Sequence, residues 1–220
     1  MSKVDLKLDW CSHAAAKYAV EHWHYSKTMP KSKLAKIGVW ENSEFVGVII
    51  YGVGATSDLV KRYGLLIHEG CELVRVALRD HRTQVSRIIA ISLKLLKIEF
   101  NGLRLIVSFA DPEHHHVGAI YQAGGWIFTG MSTASYEYIY NGKRWQGRSF
   151  RNNYKGMENH PDVKKILGSA KYRYLMPLDD EVRKRIEPLR KPYPKRATSS
   201  DSAASAFQAE EGGASPTVAL

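Results

Sequence analysis

The chain has 220 residues, of which 44% are hydrophobic, and this suits one globular domain with an ordinary core. Its two cysteines do not support a disulfide scaffold, and it has no apolar run long enough to cross a bilayer and no secretory signal. We therefore expect a cytoplasmic protein without a membrane partner.

Charge divides the chain into two parts. From residue 197 onward there is no Lys or Arg, so residues 1–196 hold 32 cations against 19 acids, a net charge of +13. Such a basic body favours a polyanionic partner, most simply nucleic acid, although a solvated basic surface is the alternative. We predict a single domain over residues 1–196, with a basic C-terminal part at 143–196, followed by a disordered tail at 197–220.

The predicted elements follow a mixed order. In chain order they are a helix at 12–22 capped by Ser12, a basic loop at 24–36, strands at 37–40 and 45–54, irregular chain at 54–70, a strand at 71–78, a helix at 86–100 capped by Ser86, a strand at 103–110, a helix at 117–125, strands at 126–130 and 135–140, a turn at Asn141-Gly142, and one or two short helices within 158–190. Strands and helices that alternate in the centre indicate an α/β fold, a mixed sheet with helices on its faces.

Polar side chains follow the predicted strand at 103–110, in the stretch "LIVSFADPEHHHVGAIYQAGG". Ser108 and Asp111 lie at the end of this strand, and Tyr121 follows in the next predicted helix. Ligand sites in open α/β sheets favour the carboxyl ends of strands, so we expect a site here. The alternatives are that Asp111 caps a turn, that Ser108 satisfies a backbone group and that Tyr121 belongs to the core.

A second polar group, "HYS", comprises His24, Tyr25 and Ser26 and lies on the basic loop before the first predicted strand. Histidine titrates near neutral pH and is a frequent proton-transfer group. We expect His24 to belong to the site; the alternative is an exposed loop imidazole.

The predicted strand "CELVRVAL" carries two charged residues, Glu72 and Arg75. Regular alternation would divide it into two faces, Glu72 with Val74 and Val76, and Leu73 with Arg75 and Ala77. A charge on a central strand is costly unless it is paired or lies in a pocket. Both residues are therefore site candidates, and a structural ion pair is the alternative.

Three consecutive histidines, His114 to His116, raise the question of a metal. Two histidines and one carboxylate suit non-haem Fe(II), and His24, Asp111 and His116 are the candidate ligands. Adjacent loop residues rarely all bind one ion, so the sequence leaves Fe(II) open.

Six blocks in a fixed order across residues 24–130 carry a family resemblance: "HYSKTMP", "FVGVIIYGVGA", "CELVRVAL", "VSRIIAISLKLL", "LRLIVSFADP" and "GAIYQAGGWIFTG". Together they resemble the Mom proteins of bacteriophages, and the order of elements resembles the GCN5-related N-acetyltransferase (GNAT) superfamily. The resemblance implies a mostly antiparallel, twisted mixed sheet with helices on both faces. It also implies transfer of a carbamoylmethyl group to the exocyclic N6 of adenine in double-stranded DNA, which blocks restriction enzymes, in the cytoplasm of a bacterial host.

The resemblance and the polar positions together define the expected site. The predicted catalytic residues are Tyr121, Asp111, His24, Ser108 and Tyr25, and the predicted substrate- or donor-binding residues are Ser26, Glu72, Arg75, Arg82, Arg87 and Gln122. For the metal, the family pattern supports only His116 among the three consecutive histidines.

One segment departs from the acetyltransferase pattern. Those enzymes bind the pyrophosphate of coenzyme A with a glycine-rich turn at the start of the central helix, because backbone N–H groups must approach the phosphates. Here the corresponding residues 79–88, "RDHRTQVSRI", contain no glycine and are basic. Both acetyl-CoA and a glycyl donor such as charged tRNA therefore stay open as the donor.

Basic residues on two segments are the predicted DNA contacts, and neutralising phosphates would make binding depend strongly on salt. They are Lys27, Lys31, Lys33 and Lys36 on the first loop, and Lys143, Arg144, Arg148, Arg151 and Lys155 on the later one. Trp145, Phe150 or Tyr154 would stack beside an extruded base, with ordinary packing as the alternative. A homodimer is open, and the alternative functions are an acetyltransferase that acts on a small amine or protein with acetyl-CoA, and a non-catalytic DNA-binding module.

Overall fold

The computed structural model of the chain describes residues 4–54 and 58–195. The strands are β1 Leu6–Trp10, β2 Leu34–Glu41, β3 Glu44–Gly52, β4 Gly70–Leu78, β5 Leu105–Ala110, β6 Ile127–Met131, β7 Tyr136–Tyr140, β8 Lys143–Gln146, β9 Lys164–Leu167 and β10 Tyr172–Pro177. The helices are α1 His13–Trp23, α2 Val85–Glu99, α3 Ala119–Ala123, α4 Gly147–Asn153 and α5 Asp180–Ile186. The predicted tail, residues 197–220, lies outside the described residues.

A seven-stranded sheet in the order β1-β2-β3-β4-β5-β10-β6 forms the centre of the molecule. Its neighbours pair antiparallel except β4 and β5, which are parallel. Helices α2 and α3 pack on the face that carries Ile49 and Ile106, whereas α1 and α5 pack on the opposite face, with Ile50 and Val107 respectively. The predicted class, a mostly antiparallel mixed sheet with helices on both faces, is confirmed.

The two parallel strands separate at one end. Their pairing runs from Gly70 and Leu105 to Leu73 and Ser108, and beyond that point each strand continues beside its other neighbour only. The separation creates an opening in the middle of the sheet, which we call the β4–β5 opening, between the carboxyl ends of these strands. Open α/β sheets place ligands at such ends.

An irregularity on β4 changes the predicted alternation. Tyr51 pairs with Leu73 but Ile50 pairs with Arg75, so Val74 is an extra residue, as in a β-bulge. Leu73 consequently packs on the α2 face whereas Ala77 packs on the α1 face. The prediction that Leu73, Arg75 and Ala77 share a face is wrong, because a bulge shifts the period-two pattern by one residue.

The region 158–190 contains the short helices predicted for it, α5 and a 3-10 helix at Glu187–Leu189, but it also forms two strands, β9 and β10, that the sequence did not predict. Strand β10 lies between β5 and β6, so Tyr174 pairs with both Ser108 and Phe128. Its residues alternate between the two faces: Tyr174 belongs to the α2 cluster and Leu175 to the α5 cluster.

Local signals at turns and helix ends were mostly correct. Ser12 caps α1 by accepting a hydrogen bond from the N–H of Ala15, and Asn141-Gly142 forms the β7–β8 turn with positive φ at both residues. The capping role predicted for Ser86 is wrong, because Gln84 is the N-cap of α2. Strand β1 was not predicted.

Strands β7, β8 and β9 form a second sheet, in the order β8-β7-β9, which we call the small sheet. Strands β8 and β9 belong to the basic C-terminal part. Helix α4 packs on the small sheet, and the ring of Phe150 stacks on Tyr138 with 4.5 Å between the centroids. Phe150 is fully buried, so the prediction that it could stack on an extruded base is wrong.

Candidate active site

His24 lies at the β4–β5 opening, at the C-terminal end of helix α1. The helix ends at Trp23, and His24 is its C-cap in an extended conformation, only 7% exposed. Burial, aided by the positive charge of Arg75 and then of His116, lowers the pKa of His24 to about 3. His24 is therefore neutral at physiological pH.

The hydrogen bonds of His24 fix its neutral form. The backbone N–H of Ser26 donates to Nδ1 at 3.1 Å, and the Ser26 hydroxyl lies 2.8 Å from the same nitrogen. A backbone N–H can only donate, so Nδ1 is the acceptor and the ring proton resides on Nε2. His24 thus offers an N–H donor from Nε2, and Ser26 is a residue that orients it.

Tyr121 reaches the same opening from α3. Its phenolic oxygen lies 2.8 Å from the Ser108 hydroxyl, which also lies 2.9 Å from the carbonyl of Leu73. The carbonyl can only accept, so Ser108 donates to Leu73 and accepts from Tyr121. Burial raises the pKa of Tyr121 to about 12, and it keeps its proton at neutral pH. Ser108 therefore lies at the expected site, and it also satisfies a backbone carbonyl, as the alternative interpretation had it.

Tyr25 forms an exposed aromatic group beside these residues. Its ring centroid lies 4.3 Å from that of His24, 4.4 Å from His114 and 5.3 Å from His116. Tyr25 is 48% exposed, so one part of its ring surface faces solvent. A half-exposed ring held by three imidazoles can stack on a flat ligand such as a nucleobase.

Arg75 enters the opening from the bulged part of β4. Its Nη1 donates to the carbonyl of Val74 at 2.7 Å and its Nη2 to that of Thr28 at 3.4 Å. Its Nε is buried and has no hydrogen-bond partner among the described residues. Burial lowers the pKa of Arg75, whereas the charges of Tyr25 and Glu72 raise it. Glu72 is therefore close enough to Arg75 to interact with it electrostatically. Arg75 is thus a half-buried cation whose buried Nε has no hydrogen-bond partner among the described residues.

Asp111 is held by structural contacts. Its carboxylate accepts from the N–H of Glu113 at 3.1 Å and lies 2.9 Å from the ammonium of Lys171. Burial alone would raise the pKa of Asp111, but the hydrogen bond and charge of Lys171 lower it below its ordinary value. Asp111 therefore fits the alternative of a turn cap, and Lys171 is a partner 60 positions away that no local pattern could reveal.

The residues suggested for Fe(II) do not form a metal site. Within residues 4–54 and 58–195 no group of three His, Cys, Asp or Glu side chains is arranged to hold an ion. Asp111 faces Lys171, and Nδ1 of His24 accepts from a backbone N–H, which leaves its proton on the nitrogen that would have to bind the metal. The set His24, Asp111 and His116 does not fit Fe(II).

The other predicted substrate- or donor-binding residues are less central. Gln122 donates to the carbonyls of Val117 and Pro194 and to Tyr174, so it ties the C-terminal segment to α3. Arg82 and Arg87 are exposed. Arg82 lies beside the end of β2 and is not brought to the opening.

The predicted DNA contacts occupy two surfaces. Lys27, Lys31 and Lys33 are exposed on the first loop, and Lys143, Arg148, Arg151 and Lys155 are exposed on the small sheet and around α4. Lys36 is half-buried, and Tyr154 packs edge-to-face on the half-buried Trp145.

Arg144 differs from the other predicted contacts because it bridges two carboxylates. It pairs with Glu113 at 2.9 Å and with Glu137. It therefore joins the small sheet to the histidine loop at 112–116, a role that the sequence did not indicate.

The family of this chain follows from a comparison of its sequence with known families. Residues 5–195 match the sequence model of the Mom protein family. The chain belongs to the Mom protein family. A curated Mom-family relative, the methylcarbamoylase Mom of Escherichia phage Mu, is 24% identical over 204 residues, which cover 87% of this chain and 84% of the relative.

Two acetyltransferases are among the solved structures that are similar to this chain. An aminoglycoside acetyltransferase in complex with coenzyme A and kanamycin is 8% identical, with a TM-score of 0.48, over 84% of this chain and 98% of that one. A spermidine N-acetyltransferase from Vibrio cholerae in complex with coenzyme A and spermine is 10% identical, with a TM-score of 0.44, over 78% of this chain and 95% of that one. The protein is a transferase of the Mom family. Across the part of the chain that the structure covers, no helix is both long and apolar enough to span a membrane.

Proposed function

We propose that this protein is a DNA-modifying transferase that places a carbamoylmethyl group on the exocyclic N6 of adenine in double-stranded DNA, and that the mark protects the DNA from restriction enzymes. The observation that carries the proposal is the Mom-family match over residues 5–195, which spans the whole β4–β5 opening. The phage Mu relative is named a methylcarbamoylase, which fits this product.

The chemistry of adenine explains what the opening must supply. The N6 lone pair is delocalised into the ring, so the enzyme must place N6 accurately and let its proton leave as the new bond forms. Tyr121 holds its proton at rest and can give it to the departing part of the donor as the bond between that part and the carbamoylmethyl group breaks. The Tyr121 phenolate left behind can then accept the proton that N6 loses, which restores the tyrosine. While Tyr121 is a phenolate, the Ser108 hydroxyl can turn to it from the Leu73 carbonyl, since both oxygens lie within 2.9 Å.

The remaining groups at the opening suit recognition. The target base must leave the duplex stack to reach a buried tyrosine. Tyr25, braced by His114, offers a surface on which an extruded adenine can stack, and the Nε2–H of His24 offers a hydrogen bond to a ring nitrogen or to the amide oxygen of the transferred group. Arg75 supplies a positive charge close to His24 and Tyr25.

Mass spectrometry of nucleosides tests the proposal. DNA is taken from phage-infected bacteria that express the wild-type chain, Tyr121→Phe, Tyr18→Phe or an empty vector. We expect a deoxyadenosine in which one hydrogen is replaced by a carbamoylmethyl group in the wild type and in Tyr18→Phe, whose tyrosine is exposed on α1. Loss of the species in Tyr121→Phe would support its role, whereas unmodified deoxyadenosine throughout, with soluble protein and protein-dependent acetylation of small amines, would refute the proposal.

A further inference from the structure

The segment between β4 and α2, residues 79–84, corresponds to the coenzyme A pyrophosphate turn of the acetyltransferases that this fold resembles. Backbone N–H groups at such a turn bind phosphate because they converge on one point near a helix start. The structure shows where two of these N–H groups point in this chain, and the partner they meet is a protein side chain.

That partner is the carboxylate of Glu41, the last residue of β2. One oxygen accepts from the N–H of Arg82 at 2.8 Å and the other from the N–H of Thr83 at 2.8 Å. Glu41 is only 5% exposed. Burial raises its pKa, but the hydrogen bonds from Thr83 and Arg82 outweigh burial and lower it below the ordinary value, so Glu41 is ionised at neutral pH.

The turn is also fastened away from the β4–β5 opening. The N–H of Arg79 donates to the carbonyl of Val46 at 2.9 Å and holds the turn; the guanidinium of Arg79 also pairs with Glu44 at 2.5 Å, but this exposed ion pair contributes little. Val46 and Glu44 both lie on β3, so the turn packs against the end of the sheet that β2 and β3 form. At the start of α2, Val85 packs against the core and places a branched side chain beside the turn that is glycine-rich in the acetyltransferases.

A phosphate at this turn would meet three obstacles. Two N–H donors are already saturated by charge-assisted hydrogen bonds, the strong kind. The incoming anion would lie beside a buried carboxylate, and two like charges at this distance repel strongly in a poorly solvated place. No glycine lets the backbone approach closely. The residues of this turn therefore do not fit the pyrophosphate of coenzyme A.

We propose that the Glu41 carboxylate occupies the position at this turn where an acetyltransferase binds a phosphate, so that the turn does not bind coenzyme A. The transferred group then does not come from a coenzyme A thioester held at this turn. This last statement rests on the proposed function, whereas the closure of the turn does not. The inference narrows the donor class to molecules that are held without a backbone–pyrophosphate contact at the start of α2.

The test combines NMR with hydrogen exchange on the full-length protein. Coenzyme A is titrated into ¹⁵N-labelled wild type while the amide signals of Arg82 and Thr83 are followed. We expect no saturable shift of these two signals. In Glu41→Gln, which keeps one acceptor but loses the charge, exchange of both amides should accelerate by about tenfold or more, because a charge-assisted bond is roughly twice as strong as a neutral one.

Glu44→Gln is the matched control, since Glu44 is exposed, lies three residues away and contacts only the side chain of Arg79 at the same turn. It should leave the exchange of the Arg82 and Thr83 amides unchanged. Saturable shifts of these amides with coenzyme A in the wild type would overturn the inference, as would equal exchange in Glu41→Gln and Glu44→Gln.

The nucleoside measurement keeps the two proposals apart. Modified adenine together with coenzyme A bound at the turn would refute only the inference. Unmodified adenine with no shift on addition of coenzyme A would refute the DNA-modifying function and leave the turn closed.

Discussion

The Ser108 hydroxyl lies 2.8 Å from the phenolic oxygen of Tyr121, at the last residue pair of the parallel β4–β5 ladder. The core contains a second pair with the same construction: the Ser92 hydroxyl lies 2.7 Å from the Tyr51 oxygen and 2.8 Å from a backbone carbonyl. Both serines are fully buried, but only the first pair lies at the opening. The molecule thus supplies its own control for the chemistry of a buried serine–tyrosine pair.

Replacing either serine by alanine should separate catalysis from stability. Ser108→Ala and Ser92→Ala each remove one buried hydrogen-bond partner, so each should lower the free energy of unfolding by about 1–3 kcal/mol. Only Ser108→Ala should slow adenine modification, by about 10²-fold, because it removes the group that can stabilise the Tyr121 phenolate. Urea unfolding and nucleoside mass spectrometry measure the two effects, and equal activity in the two variants would contradict the role of Ser108.

The lowered pKa of His24 predicts acid sensitivity. In the unfolded chain a histidine titrates near 6.5, whereas folded His24 titrates at about 3. Between these values the unfolded state binds the extra proton, so the folded state loses stability as pH falls from 6.5 towards 3, by at most about 1.4 kcal/mol per pH unit. The stabilisation is fully present above pH 6.5.

Urea unfolding at a series of pH values checks this dependence. His24→Gln should flatten the slope between pH 6.5 and 4, whereas His22→Gln, which alters an exposed histidine two residues earlier, should leave the wild-type slope. The same slope in wild type and His24→Gln would show that His24 is not held neutral.

Arg75 should control part of that pKa. After burial, the charge of Arg75 is the largest cause of the lowered pKa of His24, and that of Lys27 is the smallest named one. Arg75→Met should therefore raise the pKa of His24 more than Lys27→Met does, while burial keeps it below 6.5 in both. A titration of the histidine ring signals by NMR measures both shifts, and a larger rise in Lys27→Met would contradict the placement of Arg75.

The sequence predicted those parts of the fold and site that depend on local patterns. Alternating and helical periodicity located β3, β4, α2 and β5, and polar residues at the end of β5 indicated the opening. Tyr121 and Ser108 lie only 13 residues apart on consecutive elements, so the general rule for strand ends was enough to expect them together.

Contacts between distant residues could not be predicted in this way. Nothing in "YRYLMP" shows that β10 inserts between β5 and β6, because that depends on which edge is free once the sheet has formed. The pairing of Asp111 with Lys171 and the saturation of the Arg82 and Thr83 amides by Glu41 likewise join segments 41 to 60 residues apart. The bulge at Val74 is also invisible to a rule that assumes strict alternation.

Arg144 and Lys143 are neighbours on β8 that should act differently towards DNA. Lys143 is exposed over the ring of Trp145, whereas Arg144 bridges Glu113 and Glu137, which raise its pKa. Each cation that neutralises a phosphate contributes about one unit to the slope of log K against log salt. Lys143→Gln should therefore reduce the magnitude of that slope by about one, so that binding depends less on salt.

A charge-matched change at Arg144 should leave the salt slope unchanged. The double variant Arg144→Gln with Glu137→Gln keeps the net charge while it removes the bridge to Glu113. Adenine modification should nevertheless slow several-fold, because the 112–116 loop, which holds His114 against Tyr25, loses its tie to the small sheet. Fluorescence anisotropy with duplex DNA over a range of salt concentrations gives the slope. A drop equal to that of Lys143→Gln would mean that Arg144 itself contacts phosphate and that its bridge opens on DNA.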